Sequence, residues 1–319
     1  MILEPLKDYG RDAVSCWNRF WFTPADSRLP SLLRILVGGM VLYTHLVWSI
    51  SLESFALADG LIPEAYVRGE VGDSKFFWSH LFGIESAATL WTVHIIALII
   101  FAMFALGLFT RVTSILSFLL VVSYGNRLAP GQFGLDQINA FATMYLAVGP
   151  CGRYFSIDSW IRKKRGIELP LTSTSANISL RLIQIHMCIV YLFAGLAKLQ
   201  GETWVTGNAI WGAFASYEYQ TLDMTWTADN LFLINVFTFG TILFELSYCA
   251  LIWNRFCRPW LLLSAVAMHL GIGICMGMMT FGLIMIFANM AFLPPKWIDQ
   301  LRGFLRKETG QGGTAESAA

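Results

Sequence analysis

Eight long apolar runs, each bounded by charge, glycine or proline, constrain this chain more than any other feature. They fall near residues 32–50, 88–109, 112–127, 135–149, 177–198, 231–253, 259–277 and 279–294. An α-helix needs about 20 apolar residues to cross a bilayer, because it rises about 1.5 Å per residue through a core of about 30 Å. Of the 319 residues, 56% are hydrophobic and 13% are charged, against about 25% charged in a soluble domain. Such a chain cannot cover its own surface with polar groups in water. The expected fold is all-α: a polytopic membrane helix bundle of about eight transmembrane helices with short interfacial helices. One transmembrane domain is expected over 1–307 and a disordered, Gly-rich tail over 308–319. The tightest hairpins are expected between the second and third runs, at Thr110 and Arg111, and between the seventh and eighth, at 276–278. The first residues carry charge throughout and lack an apolar signal-peptide core, so the first span is expected to act as an uncleaved signal.

Charge in the connections orients the bundle. Lys7, Arg11, Arg19 and Arg28 precede the first run; Arg111 joins the second to the third; Arg153, Arg162, Lys163, Lys164 and Arg165 join the fourth to the fifth; Arg255 and Arg258 join the sixth to the seventh; Lys296, Arg302, Arg306 and Lys307 follow the eighth. The alternate connections are poor in Lys and Arg, and 199–230 has none. By the positive-inside rule both termini are expected in the cytoplasm. Four segments mix aromatic and charged residues (17–26, 75–84, 154–166 and 294–307) and read as helices lying at the headgroup level. A net charge of +1 gives no field that would draw nucleic acid. No Walker loop, GxSxG or HExxH is present, and the six cysteines form no CxxC pair; no metal site is expected.

Ionisable groups at membrane depth are costly and usually face protein or a water-filled cavity. Here they are Arg34, His45, His94, Asp136, Arg181, His186, Lys198, Glu245 and His269. Gln184, Tyr191 and Lys198 are spaced by seven and share one helical stripe. Lys198 is read at the outer end of its span, either as a snorkelling anchor or as a functional amine. Glu245, placed nearer the cytoplasmic side, is expected to pair with Arg34 or Arg181. His269 is expected to make an interhelical hydrogen bond. Asp136 is expected either to cap its helix or to join Lys198 and the 199–230 connection in an outer polar cluster.

At AGLAKLQGETWVTG (194–207) the sequence resembles the HTTM (horizontally transferred transmembrane) family, whose best-known relative is vitamin K-dependent gamma-glutamyl carboxylase. Three further stretches carry the resemblance: YLAVGPCGRYFSIDSW (145–160), FELSYCALIW (244–253) with AMHLGIGI (267–274), and MGMMTFGLIMIFANMAFLPP (276–295). In that relative the second lysine of the first motif deprotonates vitamin K hydroquinone. The resemblance implies Lys198 as that base, with Ala197 where the relative has another lysine. His269 and Asp136 are further catalytic candidates, and Tyr191, Trp204 and Gln137 are candidates to hold a vitamin K-like quinol such as menaquinol; the relative's histidine before its R-[YW] turn has no counterpart here, where Asp136 and Gln137 stand. The relative's large lumenal β-rich region has no counterpart here, so a lipidic or small substrate is expected rather than a protein. The expected partners are membrane lipid and a quinone, in a bacterial inner membrane. The competing reading is a non-enzymatic assembly, export or tolerance factor, or a carrier, whose polar residues serve helix packing.

Overall fold

The computed structural model describes residues 3–71, 77–218 and 220–300. The expected tail and the end of the 294–307 segment lie outside the described residues, as do Lys75 and Phe76 at the start of the 75–84 segment. In chain order the helices are α1 (Leu3–Phe22), α2 (Arg28–Trp48), α3 (Leu52–Ala56), α4 (Glu64–Val71), α5 (Ala87–Leu106), α6 (Thr110–Arg127), α7 (Gly134–Val148), α8 (Ile157–Lys164), α9 (Thr174–Lys198), α10 (Glu202–Val205), α11 (Ala209–Phe214), α12 (Leu231–Leu251), α13 (Arg258–Cys275) and α14 (Met279–Asn289). Two-residue strands β1 (Ala25–Asp26) and β2 (Thr172–Ser173) pair antiparallel, with Ala25 opposite Ser173. The fold is an all-α membrane helix bundle, and α2, α5, α6, α7, α9, α12, α13 and α14 answer the eight apolar runs.

The segment Arg28–Ala56 and helices α5, α9, α12 and α13 are long and apolar enough to cross a membrane. α6 is as long as α13 but carries Arg111, Arg127 and several serines, while α7 and α14 are shorter. α6 packs on α5 and α7 and leaves Val112, Ile115, Leu116 and Leu119 exposed. α7 packs against α2, α6, α9 and α14, and α14 also packs against α2 and α13. For the two shorter helices, α7 and α14, protein neighbours supply much of the covering.

The α5–α6 hairpin turns where the chain can adopt left-handed backbone. Gly107 ends α5 at φ +72° and Phe109 precedes α6 at φ +47°. A methyl group at Gly107 would meet the Arg34 guanidinium at 1.5 Å, so glycine is required both for the turn and for the passage of that side chain. From α8, Asp158 accepts hydrogen bonds from the Phe109 and Thr110 N–H groups at 2.9 and 2.7 Å and from the Thr110 hydroxyl at 2.6 Å. It thereby caps α6 in trans, next to two orphan N–H groups of a helix start. The α13–α14 hairpin closes over glycines instead. Gly282 lies so near the His269 carbonyl that a methyl there would sit 2.3 Å from its oxygen.

Arg34 does not meet Glu245. It is fully buried and its Nη2 donates to the Phe155 carbonyl. Arg181 stacks on the Phe20 ring at 4.3 Å and donates to Gln184 Oε1 at 2.9 Å. The expected glutamate–arginine lock is therefore replaced by another pair, for a reason set by helix length. α9 stops at Lys198, and the chain turns back through α10 and α11, which lie along the first half of α12. There Asn235 Nδ2 donates to the Gly207 carbonyl at 3.0 Å, and the Ile210 N–H donates to Thr238 Oγ1 at 3.3 Å. Glu245 is 14 residues into α12, roughly 21 Å along its axis. It comes level with the end of α9, not with the arginines.

Candidate functional site

Lys198 Nζ lies 2.8 Å from both carboxylate oxygens of Glu245 and donates to Oε1. The lysine side chain is 22% exposed and the glutamate 7%. Both side chains thus meet each other at the α9–α12 contact. The approach is allowed by Gly195, one turn earlier on α9. A methyl there would press on Leu246 at 2.8 Å and on Glu245 Cβ at 3.2 Å, so the small-residue stretch AGLA lets α9 and α12 close up. Trp204, on α10, covers the pair with its ring centroid 5.0 Å from Nζ, within cation–π range.

One to two turns further into the bundle a second polar group joins four helices. The Tyr191 hydroxyl is 2.8 Å from His269 Nε2 and accepts a hydrogen bond from Asn289 Nδ2 at 2.8 Å. Asn289 also donates to the Met285 carbonyl and accepts from the Tyr248 hydroxyl. The Tyr191 and Tyr248 rings stack obliquely with centroids 4.3 Å apart. His269 makes the interhelical hydrogen bond expected of it. Its other nitrogen, Nδ1, is buried and has no partner among the described residues. Buried polar atoms are rarely left so, which marks this edge of the imidazole as a place where a ligand hydroxyl or a water would be stabilised. All three stripe residues of α9 bond outward from the helix: Gln184 to the Ala291 carbonyl, Tyr191 to His269, and Lys198 to Glu245.

Asp136 belongs to a different place. It accepts from the Phe133 N–H at 3.1 Å at the start of α7, the capping role, and no hydrogen bond or ion pair among the described residues ties it to Lys198. Phe281 stands between the two regions, touching the His269 ring with centroids 5.9 Å apart and filling the space beside Gly134. Asp136 instead lines a cavity of about 20 Å³ with His45, Tyr124, Gln132 and Asn139. Neither side-chain polar atom of the buried Asn139 has a partner there, and the volume is enough for one water. Gln137 is exposed and lies outside this cavity, whose glutamine is Gln132.

Three histidines gather around Tyr124 beside that cavity. The Tyr124 hydroxyl is 2.6 Å from His94 Nδ1, and His94 Nε2 is 2.8 Å from Ser49 Oγ. The His45 and His80 rings pack on Tyr124 with centroids 4.7 and 5.2 Å away. His80 also bonds Ser123 through Nδ1 and through its backbone N–H. Outside the spans, burial pushes the His80 imidazole down to about 4, with His94 nearby adding to the effect. Sequence reading singles out His45 and His94 separately and misses His80, Tyr124, Tyr248 and Asn289. The signal is present in α6, where Ser123, Tyr124, Asn126 and Arg127 form a polar end after the apolar stretch 118–122.

The Lys198–Glu245 pair can exchange a proton with a hydroxyl brought beside it. The ammonium stabilises negative charge while the carboxylate accepts the proton, and the Trp204 ring lies over the pair. Among the described residues no group of three or more His, Cys, Asp or Glu side chains could hold a metal ion.

Similarity to known proteins bears on this arrangement. The family model described as HTTM domain matches residues 22–297. The sporulation-delaying protein SdpB of Bacillus subtilis (strain 168) is 32% identical over 144 residues, covering 43% of this chain and 44% of that protein. The match thus spans less than half of SdpB. No solved structure matches.

Proposed function

The chain belongs to the HTTM domain family, and from that premise we propose that this multi-pass membrane protein carries out acid–base chemistry on a lipid-soluble, hydroxyl-bearing substrate at the Lys198–Glu245 pair. The observation that carries the reading is the pair itself: an ammonium and a carboxylate 2.8 Å apart at bundle depth under a tryptophan. A buried ion pair is weak evidence of stabilisation, because desolvation offsets most of its attraction. Apolar side chains would tie α9 to α12 as well.

The donor set fits a quinol. Among the described residues Glu245 Oε2 accepts no hydrogen bond; it lies 2.8 Å from the Lys198 ammonium and keeps a lone pair with which to accept from a substrate hydroxyl. A quinol bound there supplies an acidic hydroxyl and two reducing equivalents. Glu245 takes the proton at Oε2. The Lys198 ammonium stays beside the oxygen that loses it, where a preorganised cation stabilises developing negative charge. The pair, rather than a free amine, is then the base, because the lysine already donates to the carboxylate. Trp204 excludes water from the pair. Tyr191 and His269 form a second hydrogen-bonded group further into the bundle, with His269 Nδ1 as its open end. The membrane is read as a bacterial inner membrane with both termini in the cytoplasm.

The experiment is mass spectrometry of lipids that co-purify with the full chain in mild detergent, followed by the same measurement on Glu245→Gln and on Lys198→Met/Glu245→Leu. A stoichiometric quinone in the wild type is expected. In the double variant, which removes both charges, we expect the quinone to be lost while thermal stability stays within about 1 kcal/mol of the parent. Absence of quinone from the parent, or its retention in the double variant, removes this reading.

A second reading is favoured by one observation. The same polar groups bond α9 to α12, α13 and α14, and polar contacts across helices hold membrane bundles together. An assembly, export or tolerance factor would use them so, and a part in a developmental process such as the one named for SdpB belongs to this alternative.

A further inference from the structure

We propose that the end of the bundle rich in Lys and Arg binds the phosphodiester of an anionic lipid headgroup, in the cavity between the α5–α6 hairpin, the 149–153 turn and α8. This cavity has a volume of about 330 Å³ and is walled by Arg111 on α6, Arg153 in the turn and Arg162 on α8. It is separate from the Lys198–Glu245 site and does not rest on the function proposed for it.

The three guanidinium groups are positioned but not neutralised. Arg111 Nη1 donates to the Ala147 carbonyl at 3.3 Å. Arg153 Nη1 donates to the Pro170 and Thr172 carbonyls at 3.2 and 3.4 Å, and Arg162 Nη2 to the Gly152 and Arg153 carbonyls at 2.6 and 3.3 Å. Backbone carbonyls orient a guanidinium without cancelling its charge. The remaining N–H groups of all three make no hydrogen bond among the described residues. Asp158 is the carboxylate of this wall, and both its oxygens are engaged by the start of α6. Three cations against one anion leave an excess of two, and a phosphodiester brings one negative charge. Arginine forks match phosphate oxygens in pairs.

The surroundings point to a lipid as the source. α8 reads IDSWIRKK, with Lys163, Lys164 and Arg165 following Arg162 at the rim and Glu168 as the acid nearby. Trp160 on α8 is 57% exposed, and Lys164 Nζ sits 3.9 Å from its ring centroid. An exposed tryptophan beside lysines on a short amphipathic helix is the pattern of a headgroup-level anchor. Basic pockets beside membrane helices on the cytoplasmic side take anionic headgroups, and each cation near the surface adds about 1 kcal/mol.

The test uses the full chain purified in detergent and exchanged into phosphatidylcholine, with native mass spectrometry reading bound lipid. Phosphatidylglycerol is expected to be retained over phosphatidylcholine. Arg111→Gln should weaken that retention about fivefold, and Arg111→Gln/Arg162→Gln about 25-fold, at ~1 kcal/mol per cation. Arg111 is chosen first because its single carbonyl contact is long, so its loss spares the fold. Inorganic phosphate at millimolar concentration is the second arm: if it displaces phosphatidylglycerol, the oxyanion site stands and also accepts the free ion. If it does not, the lipid is the ligand. Equal retention of the two lipids by the wild type overturns the proposal without any variant. Unchanged phosphatidylglycerol binding in a folded double variant overturns it as well.

Discussion

Lys198 and Glu245 are 47 positions apart, and nothing in the sequence around either announces the other. Each can be flagged alone, as an ionisable residue inside an apolar run, but their pairing depends on where α9 stops relative to α12. Lys198, Tyr191 and His269 are legible from spacing or motif, and they fall in two neighbouring polar groups, Lys198 with Glu245 and Tyr191 with His269. Trp204 comes only from the resemblance, yet its ring lies over the lysine. Gln137 and Asp136 lie elsewhere because the start of α7 faces the histidine cavity. His80 is illegible for a different reason: it lies in a connection, where polar residues are unremarkable, and only folding brings it against Ser123 and Tyr124. That placement carries a prediction. An unfolded imidazole takes up a proton near its ordinary value of 6.5, whereas His80 in the fold resists until about pH 4. Between those values the unfolded chain binds more protons, so stability rises with pH. The contribution is complete above about pH 6.5 and is lost as pH falls toward 4. Thermal unfolding in detergent should therefore show a lower midpoint at pH 5 than at pH 7, and His80→Gln should shrink that difference. An unshrunken difference in the variant would show that His80 is protonated as easily in the fold as outside it.

At the scale of helices and hairpins, the apolar runs mark every long apolar element, and the errors lie at their ends. The run at 32–50 begins four residues inside α2, because the buried Arg28 is held by Asp26 and Asp299 and the helix extends over it. The run at 279–294 overstates α14, which ends at Asn289, where the side chain is tied to Tyr191 and Tyr248. The R-Y-F-S-I-D stretch reads as a family signature, and its aspartate has a plain structural duty as the trans cap of α6. Glycines divide the same way, between those that permit contact and those that do not. On α14, Gly282 presses against the His269 carbonyl, and a methyl would fall 2.3 Å from that oxygen, an atom that cannot move without opening the hairpin. On α13, Gly271 faces open space, and a methyl group added there would meet nothing within 4 Å. Gly282→Ala should cost on the order of 2 kcal/mol through overpacking. Gly271→Ala should be neutral or stabilising by up to about 1 kcal/mol from helix propensity. Unfolding midpoints of the two variants, measured side by side, check the difference, and equal effects would mean the hairpin is not close-packed at Gly282.

For the whole molecule, three modest helices have to be accommodated in a bilayer. α7 has 15 residues and α14 has 11, so by the rise of an α-helix they are roughly 22 and 16 Å long. A hydrocarbon core of about 30 Å is longer than either. Both lie against several other helices of the bundle, so protein covers much of their length, and the polar residues of α6 at Ser114, Ser117, Ser123 and Arg127 are likewise buried against protein. Alternating Lys and Arg content in the connections requires α6 and α7 each to cross. If they do, Ala129 between them lies on the opposite side from Cys16 of α1 and Arg165 after α8, and on the same side as Asp229 before α12. All four positions are exposed. A membrane-impermeant maleimide applied to intact bacterial cells expressing Cys16→Ser variants tests this. Ala129→Cys and Asp229→Cys should label in intact cells. Arg165→Cys, like the native Cys16 in the parent chain, should label only after permeabilisation. If Ala129→Cys fails to label in intact cells while Asp229→Cys labels, then α6 and α7 form a re-entrant hairpin and the chain crosses six times rather than eight.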